Sequence, residues 1–111
     1  MVEALWSVEF DSNSGYVGAG VVIFETERIF GGDNQYYYTG KYTLKNGTLD
    51  ADVKVTSYSD GSGSIFGTNE QEFSLKIIGQ TDSPVMIANG FRTDNPNLKI
   101  GVRLTRRASL P

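Results

Sequence analysis

The chain contains no cysteine and no histidine. That excludes disulfides, the usual zinc ligand sets, cysteine or histidine nucleophiles, and imidazole acid/base chemistry at neutral pH. Carboxylates, Lys, Tyr, Ser and Thr remain, but nothing in their arrangement points to a reaction, so a non-enzymatic protein without metal or cofactor is expected. No apolar run approaches the roughly 18 residues of a membrane-spanning helix. Met1-Val2-Glu3-Ala4-Leu5-Trp6 has no basic stretch leading into an apolar one, which argues against a signal peptide and for a cytoplasmic protein away from membranes. Excess positive charge is also missing: the net charge is −3, mild and of the wrong sign for general binding to nucleic-acid phosphates.

What the chain does have is enough for one core. Its 111 residues are a single domain's worth, here residues 1–111. Leu, Ile, Val and Phe make up about a quarter of it, above the roughly 20% below which chains tend to stay disordered. Thirteen glycines cut the sequence into short pieces that leave helices little room. Alternation of apolar and polar residues, with turn residues at regular intervals, is the pattern of an antiparallel all-β domain.

The clearest unit is residues 36–58. Asn46-Gly47 predicts a two-residue hairpin turn, because both central residues of a type I′ turn need positive φ. That turn sets Leu44 opposite Leu49, Tyr42 opposite Ala51, Gly40 opposite Val53 and Tyr38 opposite Val55 on one face. Thr43 with Asp50, Lys41 with Asp52 and Thr39 with Lys54 fall on the other. A slip of one residue would invert both faces.

The remaining strands follow the same logic. Residues 4–10 put Trp6, Val8 and Phe10 on one side; 71–79 bury Phe73, Leu75 and Ile77; 98–106 bury Leu98, Ile100, Val102 and Leu104. Residues 28–31 and 85–91 complete the set. Residues 16–25 are apolar on both faces, with Val17, Val21 and Ile23 against Val22 and Phe24, so this strand is expected to be covered on both sides. Eight strands in sequential order suggest a small up-and-down antiparallel barrel of the lipocalin-like kind, since closure removes exposed edges. Its interior is assigned to Trp6, Val8, Phe10, Tyr38, Tyr42, Leu44, Leu49, Val53, Val55, Phe73, Leu75, Ile100 and Val102. So many large inward residues leave only a small cavity by this reading, with room at most for one small hydrophobic ligand.

Several local features have ordinary readings. Gly31-Gly32-Asp33 is read as a tight turn using positive φ, with Asp33 bonding to local backbone. Tyr36 and Tyr38 are read as barrel packing and Tyr37 as exposed. The glycine-serine stretch 61–67 lacks the Lys and the following helix of a phosphate-cradling loop. Residues 92–111 carry a net charge of +4 on a body of −7, a basic last strand that its neighbours are expected to neutralise.

Ser7-Val8-Glu9-Phe10, Gly18-Ala19-Gly20-Val21, Ile29-Phe30-Gly31-Gly32-Asp33 and Tyr38-Thr39-Gly40, in that spacing, resemble the GrlR family, negative regulators of bacterial type III secretion gene expression. The likeness is strongest over residues 4–58. It implies a lipocalin-like barrel, a homodimer joined by apolar barrel surface, a plug-like loop, and repression by binding a transcriptional activator rather than DNA. Val17, Val21, Val22 and Ile23 are the candidate dimer interface, and Ile65 and Phe66 the candidate plug. The family's acidic activator-binding run is replaced here by the tip Leu44-Lys45-Asn46-Gly47. Lys45, Asn46, Asp50 and Asp52 are therefore the candidate partner-binding residues. The alternative is a lipocalin-like carrier of a small hydrophobic ligand.

Overall fold

The computed structural model describes residues 2–58, 71–82 and 84–111. Eight strands follow one another: β1 (Ala4–Ser12), β2 (Val17–Glu25), β3 (Arg28–Gly32), β4 (Tyr36–Lys45), β5 (Thr48–Ser57), β6 (Glu72–Asp82), β7 (Val85–Arg92) and β8 (Asn95–Ala108). Each pairs antiparallel with its sequence neighbours, and β8 returns to β1, so the molecule is an all-β, closed, up-and-down barrel. No helix among the described residues is long and apolar enough to cross a membrane.

The β4–β5 hairpin has the predicted register, from Tyr36↔Ser57 to Lys45↔Thr48. Its turn residues Asn46 and Gly47 have φ of 55° and 79°, as a type I′ turn requires. A second two-residue turn, Thr26-Glu27, takes the same conformation without glycine, at φ of 47° and 65°. Glu3 Oε2 accepts hydrogen bonds from Thr26 N (2.7 Å) and Thr26 Oγ1 (3.3 Å), and the Glu27 carbonyl accepts from Tyr42 N (3.1 Å). Tertiary partners outside the turn thus hold a conformation that its residue types disfavour.

Gly31 and Gly32 depart from expectation. They are strand residues of β3, and among the described residues the glycines with positive φ are Gly15 and Gly47. A Cβ on Gly31 would stand 2.1 Å from the Val21 carbonyl oxygen, so close approach of β2, not a left-handed turn, demands glycine there. The part of the reading that concerned Asp33 does hold: its Oδ1 accepts from Gln35 N (2.8 Å) and Tyr36 N (2.9 Å).

Alternate residues point inward along every strand, and the core joins Trp6, Val22, Phe24, Ile29, Tyr38, Tyr42, Leu49, Phe73, Leu75, Met86 and Leu104, among others. Leu44 was assigned to this interior, yet it is 44% exposed. It has inward parity, but the β3–β4 pairing stops at Lys41, so no strand stands beside Leu44 on that side to wall it in. Val22, assigned to an outer interface, is 7% exposed and packs inside, because β2 alternates and Phe24, on the same face, also points in.

Candidate functional site

Up-and-down topology sorts the connections by end. The turns around residues 13–16, 33–35 and 93–94 lie at one end with the close of β5 and the start of β6. The 26–27 and 46–47 turns and both chain termini lie at the other. At this second end the interior is filled. Phe24 packs edge-on to both Trp6 (6.2 Å between centroids) and Tyr42 (5.2 Å). Trp6 Nε1 donates to the Val2 carbonyl at 2.9 Å, which satisfies the indole inside the apolar cluster.

Above this aromatic floor is a cavity of about 390 Å³ opening at the first end. It is larger than the tally of inward residues suggested and falls in the ~300–1,000 Å³ range of small-molecule sites. Large side chains are not spread evenly. Trp6 and Tyr42 belong to the floor and do not line the cavity, whose middle is walled by Val8, Val22, Ala51, Val53, Val55 and Val102. Short side chains there leave the axis open.

Polar groups gather at the mouth. Asp33, Asn34 and Gln35 line it together with Tyr16, Tyr36 and Tyr38. Tyr38 Oη donates to Asp33 Oδ2, and Tyr58 Oη donates to the Asp33 carbonyl. Asp33 is therefore immobilised by two backbone amides and one phenol, which donate to its carboxylate. Burial, then the hydrogen bond to that carboxylate, raises the Tyr38 pKa well above the usual phenol value, so Tyr38 stays a donor. Nearby, buried Arg92 donates to Asp94 through Nε (2.9 Å) and Nη2 (2.6 Å) and lies over the Phe73 ring at 4.9 Å. Sequence reasoning missed both arrangements. In the sequence Asp33 reads as a turn residue only, and Arg92 has inward parity because β7 extends to it.

The other assigned residues divide. Val8, Tyr38, Leu49, Val53, Val55, Phe73, Leu75, Ile100 and Val102 are buried and line the cavity, and half-buried Phe10 lines it as well. Val17 and Val21 are 79% and 48% exposed, with Ile23 half-buried beside them. Lys45 and Asn46 are exposed at the hairpin tip. Asp50 and Asp52 do not join them: both hold Lys76 Nζ, at 2.6 and 3.3 Å, and the hydrogen bond to Asp50 leads in raising the lysine's pKa. In the last strand Arg103 stands opposite Glu9 of β1. Ile65 and Phe66 lie outside the described residues. Among the described residues no group of three or more His, Cys, Asp or Glu is placed to hold a metal ion.

The fold and its cavity define a closed eight-stranded barrel with an apolar interior and a polar rim. No protein-family model and no curated protein matches the sequence.

Proposed function

We propose that this chain is a non-enzymatic, dimeric binding protein of the GrlR type, which pairs with a second copy through its outer sheet surface and acts by holding a protein partner such as a transcriptional activator. The observation that carries the reading is an apolar band across the outside of β1 to β4. Ile23 stands between Leu5 and Phe30, and Val21 between Ser7 and Gly32, with Tyr37 next in line. Phe30 and Tyr37 are 40% and 44% exposed. Contiguous exposed apolar surface on a water-facing protein commonly marks association, whereas the outer faces of β5 and β6 carry Asp50, Asp52, Lys54 and Lys76. Sedimentation equilibrium tests the pairing. Val21→Asp or Ile23→Asp is expected to weaken dimerisation by about 2 to 5 kcal/mol through a charge buried without a partner, while Val22→Asp, an interior change, unfolds the barrel instead. A monomeric native protein that also captures nothing from its host's extract overturns the reading.

The cavity favours a second reading, a carrier of one small hydrophobic ligand. Native mass spectrometry that finds a retained small molecule supports it, and a barrel that takes up no apolar probe removes it.

A further inference from the structure

We propose that the barrel cavity selects apolar molecules whose polar end is uncharged or cationic and rejects those ending in a carboxylate. The inference rests on the carrier reading and adds the chemistry of the ligand's head. It begins with the shape. The floor is closed by Trp6, Phe24 and Tyr42, and among the described residues the polar lining of the cavity stands at the opposite end. An elongated amphiphile must enter tail first and leave its polar end among Asp33, Asn34 and Gln35.

Among the described residues the depth of the cavity supplies no charge to meet a head group: Val8, Val53, Leu75 and Ile100 are typical of its walls. Among the described residues that line it, the formal charge is the Asp33 carboxylate at the mouth. That carboxylate is held in place by Gln35 N, Tyr36 N and Tyr38 Oη, so it cannot swing away from an approaching anion. The two phenols that reach Asp33 are committed to it, Tyr38 to its side chain and Tyr58 to its carbonyl. The guanidinium of Arg92 is engaged by both Asp94 oxygens and does not line the cavity. A ligand carboxylate would therefore sit, partly desolvated, beside a fixed like charge. A hydroxyl or ammonium would instead find acceptor oxygens, since a carboxylate offers about four lone-pair sites and three are engaged by the donors named here.

The test is competition against the neutral fluorescent probe N-phenyl-1-naphthylamine at pH 7.5, using dodecanol, dodecylamine, methyl dodecanoate and dodecanoate below their aggregation limits. The alcohol, amine and ester are expected to displace the probe at concentrations at least about tenfold lower than dodecanoate. Asp33→Asn is expected to narrow that gap, and Ala51→Phe, which fills the cavity, to lower probe affinity at least about tenfold. If the native protein takes up no probe, the carrier reading and this proposal fall together. If the probe binds and dodecanoate competes as well as its methyl ester, head selectivity is refuted while the carrier reading stands. The ester-to-acid comparison uses the native protein alone, so it decides the matter even where Asp33→Asn does not fold. Probe binding unchanged in folded Ala51→Phe places the site outside the cavity and overturns the proposal.

Discussion

A methyl group added to Gly31 would lie 2.1 Å from the Val21 carbonyl oxygen and 2.8 Å from the Val22 Cα. Both are backbone atoms of a paired strand, so the clash is relieved only by parting β2 from β3. Gly31→Ala is expected to cost about 3 kcal/mol in urea unfolding. Gly47 differs in kind: its φ is +79° and the nearest atom to an added Cβ is Thr81 Oγ1 at 3.8 Å, so Gly47→Ala should cost only the left-handed strain of about 1 kcal/mol. Equal costs for the two would refute this separation of crowding from strain. Asp94 sets a pH dependence at the same scale. Hydrogen bonds from Arg92 lower its pKa below the usual carboxylate value. A group depressed on folding contributes its stability in full above its unfolded pKa, near 4 for an aspartate, and loses it as pH falls through the folded value. Asp94→Asn should therefore destabilise the barrel at pH 7 and make much less difference at pH 2, as paired denaturation curves would reveal.

At the level of elements, two hairpins reach the same turn geometry by different routes. Asn46-Gly47 has residue types that accept positive φ, and the register of β4 and β5 follows from it. Thr26-Glu27 has the opposite chemistry, with a β-branched residue at φ 47°, and relies on Glu3 and Tyr42 N to keep it. Replacing the pair by Asn-Gly is expected to raise stability by about 1 to 2 kcal/mol by removing left-handed strain, measurable as a higher urea midpoint with unchanged slope. This explains which elements were legible in the sequence. Alternation located the strands because burial of one face imposes period two. Their ends were less visible: β1 runs to Ser12 and β8 from Asn95 to Ala108, lengths set by what the adjoining strand offers for pairing. Leu44 shows the same dependence, since its exposure follows from where β3 stops.

For the whole molecule, closure between β1 and β8 joins the first strand to the last, so among the described residues each strand has a neighbour on both sides over at least part of its length, and the barrel should unfold as one unit. Trp6 sits on β1, 2% exposed, within the floor, with its indole bonded to the Val2 carbonyl and its backbone paired to Arg106 of β8. Its fluorescence is expected to be blue-shifted in the native state and to shift red along the same denaturant curve as far-UV circular dichroism. Transitions that separate would mean that the floor opens before the strands part. The proposed pairing of two barrels through Val21, Ile23 and Phe30 also belongs to this scale, because the apolar band is assembled from β1 to β4 lying side by side.

The order of residues alone determined that the chain is all-β, that β4 and β5 pair in one register, and that Val8, Tyr38, Val53 and Leu75 face inward, because alternation and turn chemistry act over a few residues at a time. Only the tertiary structure decided that Trp6, Phe24 and Tyr42 meet at one end and leave about 390 Å³ open above them. It alone placed Asp33 at the mouth of that space, beside Tyr38. Those outcomes depend on stagger between strands distant in sequence, which sets the height at which each side chain enters the barrel, and a pattern of alternation carries no information about height.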